Sequence, residues 1–265
     1  MSINGQPTVH QRIVPALKTL PRPVYARTES LVRPERTPMH RHPWVQLSYA
    51  IRGVLHVHTP TGSFVAPPQR AVWMPPDMDH EVFSFANTEM RGLYLDPQLF
   101  DAAHSRCRVI EITSLTHELI KQFSSRPPEY DEDGEDGRLA RVLVDQLRAA
   151  REVSLSLPLP QDARVLQLCR QLQDAPDDNR TLGEWGEALG ASEKTLRRIL
   201  LRETGLTFRS WRQRMRLLGA LEALGRGTAV TQVALNAGYS STSAFIAAFR
   251  EQFGVTPGDF FPAVR

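Results

Sequence analysis

The sequence predicts an α+β multidomain chain in which a β-rich N-terminal domain is followed by an all-α C-terminal domain, and three observations carry that prediction. Short strand-like stretches crowd residues 24–95, helical periodicity takes over after Gln161, and a proline-broken segment lies between them. With 265 residues, 41% of them hydrophobic and 23% charged, the chain can bury two separate cores.

Composition excludes several classes. No run of eighteen apolar residues exists, and Met1–Pro23 carries prolines and charges where a secretory leader needs an apolar block. The expectation is a cytoplasmic protein with no membrane partner. Cys107 and Cys169 are too few for a disulfide framework or a cysteine metal site and read as reduced structural residues. The net charge of +3 is unevenly spread: residues 1–160 carry 18 basic and 18 acidic side chains, residues 161–265 carry 14 and 11. Within Ala191–Arg216 the count is eight basic against two acidic, a local footprint for a polyanion. All eight histidines, by contrast, lie at or before His117.

In the N-terminal part the stretches VQLSYAI, VLHVHT, SFVAPP, AVWMPP, EVFSF and RGLYL are separated by Gly, Pro, Asp and Thr, a spacing that favours a sandwich or barrel. His40, His42 and Gln46 share even parity and would project to one face of a strand, with His80 supplied by a later strand start. Three imidazoles and an amide oxygen suit a divalent transition metal such as Zn, Ni or Fe. The same side chains would serve equally as the polar lining of an organic ligand pocket. Trp44, Tyr49, Trp73, Phe83, Phe85 and Tyr94 read mainly as core; Trp44, Tyr49, Trp73 and Phe83 are the candidates for lining a pocket inside the β-domain. His56 and His58 read as ordinary strand residues.

These residues resemble the two cupin motifs. The first, His-x-His, three residues, an acid, six residues and Gly, is met by His40, His42, Gln46 and Gly53; the second, Pro-x-Gly-x-x-His, by Pro75, Asp77 and His80. Gln46 replaces the usual glutamate and Asp77 the usual glycine, and loss of the carboxylate weakens metal binding and alters any redox role. The resemblance implies a cupin-like β-barrel.

Pro127–Gly137, PPEYDEDGEDG, reads as an acidic exposed loop. From Arg138 to Glu152, Leu139, Val142, Leu143, Leu147 and Ala150 recur at helical spacing, a stripe that packs on its own domain or partly under a symmetry-related copy in a homodimer. Pro158 and Pro160 then break the chain, which makes Ser154–Gln161 the expected boundary between domains. The expected division is a cupin-like domain over 1–126, an acidic loop, helix and linker over 127–160, and a helical domain over 161–265.

In the helical domain Thr181 caps a short helix with Leu182, Trp185 and Leu189 facing inward; Gly190 ends it and Ser192 caps the next, whose stripe is Leu196, Ile199 and Leu200. Lys194, Arg197, Arg198 and Arg202 lie off that stripe. Two short helices joined by a tight turn, the second basic, make a helix-turn-helix. The pattern recurs with Val230, Val233 and Ala234, a turn at Gly238, a cap at Ser240 or Ser241, and Phe245 and Phe249 inside. The turn glycines Gly190 and Gly238 are 48 residues apart and the closing glycines Gly205 and Gly254 are 49 apart. Phe208–Leu224 between them reads as a spacer helix that would hold two reading helices about 34 Å apart, one turn of B-DNA.

Residues 192–207, 214–224 and 230–257, ending Phe253-Gly254-Val255-Thr256-Pro257, resemble the AraC/XylS family of transcription regulators. The resemblance implies that Lys194, Arg197 and Arg198 face bases from the first reading helix and Ser241, Thr242, Ser243 and Ala247 from the second; Arg202, with Arg209, Arg212 and Arg250, reads as a phosphate contact or as plain surface. Arginine forms paired bonds to guanine, so the first helix is expected to read most of the sequence. The expected partners are double-stranded DNA, a small-molecule effector and RNA polymerase. The expected function is a sequence-specific, non-enzymatic regulator whose barrel ligand changes domain packing or a dimer contact. The rival expectation is a cupin metalloenzyme fused to a nucleic-acid-binding module.

Overall fold

The computed structural model describes residues 10–12, 17–84, 88–101 and 104–261, so Phe85 lies outside the described residues. The chain divides into two compact units, Met1–Thr59 with Phe64–Leu155, and Pro60–Ser63 with Ser156–Arg265.

The first unit is built from β1 (His10–Gln11), β2 (Val24–Leu31), β3 (Glu35–His40), β4 (Val45–Arg52), β5 (Leu55–Thr59), β6 (Gly62–Ala66), β7 (Arg70–Met74), β8 (His80–Ser84), β9 (Thr88–Leu95) and β10 (Arg108–Glu111). Helices α1 (Ser114–Phe123) and α2 (Glu135–Arg148) and a short β11 (Glu152–Val153) follow. One sheet runs β1-β3-β8-β5-β6, the other β11-β10-β7-β4-β9-β2. This is the cupin-like β-domain expected, with its described strands in two separate sheets rather than one continuous closed barrel.

Alternation along β4 assigns the two faces of the second sheet. Val45, Leu47 and Tyr49 join a core with Trp73 of β7, Leu93 and Leu95 of β9, and the helix residues Ile120, Phe123, Leu143 and Leu147. Register enforces this, since Leu47 lies opposite Trp73 on one side and Leu93 on the other. Gln46, opposite Met74 and Tyr94, is thereby turned to the other face. There Gln46, Met90 and Tyr94 meet Thr37 and Val82 of the first sheet, with Arg12 and His40, around a void of only about 10 Å³. Each fully buried leucine of the helix-covered core contributes about 1.5–3 kcal/mol.

The segment 127–160 has a different character in the fold from that of a connection. Tyr130 is buried in the same core, and Ala140, Leu143, Val144 and Leu147 of α2 pack there too. The helix begins at Glu135, three residues before the expected start, and Val142, expected on the inner stripe, is 47% exposed. Leu139, Leu143, Leu147 and Ala150 of the expected stripe all pack on this core. The first unit extends to Leu155.

The second unit contains β12 (Ser156–Pro158), α3 (Ala163–Asp174), α4 (Leu182–Leu189), α5 (Glu193–Thr204), α6 (Phe208–Gly225), α7 (Val230–Asn236), α8 (Thr242–Phe253) and α9 (Pro257–Phe260). Its helix starts are chemically specified. Thr181 and Glu184 form a reciprocal capping box on α4, Ser192 accepts from the Thr195 amide on α5, Thr207 caps α6 and Ser241 caps α8. Gly190 closes α4 at φ +63°, a left-handed conformation that a side chain would strain, and so permits the tight turn into α5. Trp185, Leu196, Ile199, Leu200, Trp211, Phe245 and Phe249 are buried, while Leu189 is only half-buried. The Trp211 indole N–H donates to the Pro158 carbonyl at 2.8 Å.

Candidate functional site

Two sites emerge, one in each unit. In the first, the end of β3, the loop into β4 and the start of β8 bring His40, His42, Gln46 and His80 together. His40 and His80 are direct cross-strand partners, with an irregularity in the β3–β8 register between Thr37 and His40. The Asp77 amide donates to the His42 carbonyl at 2.8 Å, tying the two motif loops to each other. Asp77 sits at φ +58°, the conformation for which the cupin pattern uses glycine, and aspartate tolerates it better than most side chains. Gly53 keeps its place for a steric reason: at φ +87° an added Cβ would fall 2.5 Å from Thr88 Oγ1.

The three imidazoles share one hydrogen-bond arrangement. His40 Nδ1 lies 2.8 Å from the Pro38 carbonyl, His42 Nδ1 3.0 Å from that of Trp44, and His80 Nδ1 2.8 Å from that of Met78. A carbonyl accepts only, so each ring carries a proton on Nδ1, and Nε2 is the lone-pair position of the neutral ring. One ligand atom from each ring lies within 4.8 Å of the others. His80 Nε2 is buried without a hydrogen-bond partner among the described residues. His42 Nε2 stands 2.7 Å from Gln46 Oε1, while the Gln46 amide nitrogen donates to Ser48 Oγ at 2.9 Å. Two acceptors at that distance repel unless a cation lies against both or the amide is turned over. Burial pushes His80 down to about 4 and also lowers His42, keeping both rings neutral at pH 7 as metal ligands require.

A cavity of about 570 Å³ adjoins the cluster and includes His40, His42, Trp44 and Tyr94 in its wall. Of the aromatics expected to line a pocket, only Trp44 does so here. Tyr49 and Trp73 are 1% and 0% exposed and belong to the helix-covered face of the sheet. Their odd positions, paired through Leu47 and Ala71, exclude them from the face that carries Gln46. Phe83 of β8 is likewise absent from this wall. The wall residues missed from sequence, Arg12, Tyr25 and Arg27, come from the two N-terminal strands and the segment between, where no motif marks them. The pairing of Tyr25 with Tyr94 is a long-range register that single-strand parity does not reveal.

In the second unit, α5 and α8 are the second helices of two short-helix pairs. Lys194, Arg197, Arg198 and Arg202 are exposed on α5. Arg197 is paired with Glu193 one turn before it and Arg202 lies 2.6 Å from Glu203, exposed pairs that cost little to exchange for another anion. Ser241, Ser243 and Ala247 are exposed at α8 and Thr242 is half-buried. The Ser241 oxygen accepts from the Ala244 amide at 3.2 Å, which leaves its O–H and one lone pair for an outward contact.

Arg216 is a residue whose role sequence reading missed. It bonds the carbonyls of Pro176, Asp178 and Gly238 at 2.7, 3.1 and 3.2 Å, and Asn179 Oδ1 at 3.0 Å. It therefore joins the loop before α4 to the turn before α8, with four of its five N–H donors used within the protein. On the sequence it is one more arginine on a basic helix, with nothing to distinguish it.

Comparison with known proteins bears on both sites. Residues 28–181 match the AraC-like ligand binding domain and residues 185–262 a helix-turn-helix domain. The chain is similar to the HTH-type transcriptional regulator NimR of Escherichia coli strain K12, 32% identical over 237 residues covering 89% of this chain and 85% of that protein. It is also similar to the HTH-type transcriptional regulator RipA of Corynebacterium glutamicum, 34% identical over 122 residues, 46% of this chain and 35% of that one. A crystal structure of unsaturated fatty acid bound ToxT from Vibrio cholerae aligns over 90% of this chain and 94% of that chain at 12% identity and TM-score 0.38, too distant a likeness to carry chemistry across.

The buried histidine gives a pH test. His80 is held near 4 against about 6.5 in an unfolded chain, so the unfolded state takes up the proton first as pH falls. The stability this contributes is whole above pH about 6.5 and is lost between there and about 4. Because His42, His56 and His58 are lowered too, urea denaturation of metal-free protein should show the parent losing about 2 kcal/mol more between pH 7 and pH 5 than a His80→Asn variant. Equal slopes in the two proteins contradict the assignment.

Proposed function

The chain belongs to the AraC family of DNA-binding transcription regulators, with a ligand-binding N-terminal domain, and on that premise we propose how each unit does its work. In the second unit α5 enters the major groove with Lys194, Arg197 and Arg198 toward base edges and Arg202 toward phosphate. Helix α8 follows with Ser241, Thr242, Ser243 and Ala247, adding single hydrogen bonds and an apolar contact of lower selectivity. What carries this reading is the repetition: two helix pairs, each with its second helix capped by a serine, Ser192 on α5 and Ser241 on α8, and each presenting the exposed face of that helix.

In the first unit His40, His42, Gln46 and His80 hold one divalent transition ion, Zn, Ni or Fe, and the adjoining cavity takes the effector. The convergent Nε2 atoms, the orphaned Nε2 of His80 and the close His42–Gln46 contact support the ion. Backbone carbonyls fix the tautomer of each ring, the supporting shell that metal-bound histidines ordinarily have. A bound ion would supply a Lewis-acidic contact for the effector; the protein orients the rings and keeps those of His42 and His80 neutral. Effector occupancy then changes DNA affinity by favouring one conformation of the regulator. The protein works in the cytoplasm as a homodimer, on duplex DNA and in contact with RNA polymerase, as a regulator and not an enzyme.

Arg197→Ala, assayed on duplexes selected by the parent protein from a random library, should lose about 1–3 kcal/mol of discrimination at one guanine-containing position. Uniform weakening across all duplexes would instead place Arg197 on the backbone. Elemental analysis of the purified full chain should find one transition metal per chain, and none in the His40→Ala/His42→Ala variant. A metal-free parent protein, purified without chelator from metal-supplemented cells, overturns the ion.

A further inference from the structure

The cavity beside the histidines has a distinctive charge. At about 570 Å³ it lies within the roughly 300–1,000 Å³ typical of small-molecule sites. Three guanidinium groups line it, Arg12, Arg27 and Arg41, and no acidic side chain does so among the described residues. Glu29 offsets part of this charge from the strand bearing Arg27: it accepts from Arg12 at 2.7 Å, with Arg27 Nε 3.9 Å away. One carboxylate against three cations leaves the site net positive. The neighbouring donors do not reduce that charge. Three imidazoles and an amide are neutral ligands, so an ion held there keeps its full positive charge.

The remaining wall is aromatic. Tyr25 and Tyr94 stack at 5.9 Å with their planes 28° apart, and Trp44 meets Tyr94 edge-on at 6.5 Å. Trp44 is 7% exposed, and its indole N–H is buried without a hydrogen-bond partner among the described residues. A buried donor with no acceptor is costly, and an acceptor on a ligand would satisfy it. Flat aromatic surfaces favour a flat ligand, while guanidinium groups favour a planar oxyanion that they can grip with paired bonds.

We propose that this cavity binds a small aromatic carboxylate, the carboxylate met by Arg27 and Arg41 and the ring held among Tyr25, Trp44 and Tyr94. The proposal rests on the reading of the first unit as the effector domain and names the class of effector. It assigns Arg27 and Arg41 as the residues that discriminate an acid from its neutral isostere. Arg12, held by Glu29, has the lesser role of keeping that carboxylate away from the ligand.

Calorimetric titration of the full chain with benzoate and salicylate, and with benzamide and salicylamide as neutral counterparts, tests this directly. At least one acid should bind saturably, with its amide about tenfold weaker or more, and Arg41→Gln should weaken the acid by a similar factor while leaving the amide unchanged. Arg27→Gln should do the same; if its melting curve shows misfolding, Arg41→Gln, at an exposed position, decides the matter. Amides binding as well as acids overturn the class while leaving the cavity an effector site. No saturable binding by either acid overturns the proposal. Repeating the titration after chelation separates the ion from the ligand: acid binding that survives chelation but falls in Arg41→Gln upholds the carboxylate site and removes only the ion from the account.

Discussion

Alternation along one strand is the constraint on which the sensor unit depends. Once Val45, Leu47 and Tyr49 are committed to the core under α1 and α2, Gln46 can only face the opposite sheet, where Tyr94 and Met90 accompany it. A one-residue slip of β4 would place an amide in the helix-covered core and a leucine beside the histidines. The apolar cost of such a slip, several buried side chains at about 1.5–3 kcal/mol each, far exceeds anything the polar cluster gains or loses locally. The hydrophobic face thus fixes the position of the polar site, and the histidines are placed by a core they do not belong to.

Given that frame, short-range bonds set the chemistry. The Asp77–His42 backbone bond holds two loops together, and three carbonyls choose the same tautomer in three rings. The consequence is a cluster of lone pairs without a negative charge, beside a cavity rich in guanidinium groups. A glutamate in place of Gln46 would supply an anionic ligand of its own and make the same pocket less receptive to an anion. The departure from the cupin pattern therefore bears on ligand class as well as on metal affinity.

Much of this was legible from residue spacing. The motif spacing picked out His40, His42, Gln46 and His80, but one-strand parity is not what gathers them: His40 ends β3, His42 lies in the following loop, Gln46 is on β4, and His80 arrives through the β3–β8 pairing. The capped helices of the second unit are equally local: Thr181, Ser192, Thr207 and Ser241 each stand where a helix begins. What sequence did not reveal depends on long-range pairing. Tyr49 and Trp73 are aromatic, near the motif and plausible as pocket residues, yet their register with Leu47 and Ala71 sends them to the other face. Arg12 and Arg27 enter the cavity wall only because N-terminal segments reach it, and Arg216 becomes a clamp only because the loop before α4 and the turn before α8 meet at α6. The packed face of α2 is the expected stripe widened by Ala140 and Val144, with Leu139 at its edge and only Val142 turned to solvent.

The central claim is that two reading helices, unequal in charge, act together on one duplex. Arg216 bonds both the loop that leads into α4, the first helix of the first pair, and the turn that leads into α8, and so ties the two helix pairs to each other through α6. Hydroxyl-radical footprinting of the full chain, on duplexes it selects from a random library, tests this most directly. The account predicts two protected patches on one face of the DNA, centred about 10 base pairs apart, with the deeper protection over the half that contains the guanine contact. A single protected patch, or two on opposite faces of the duplex, would contradict it.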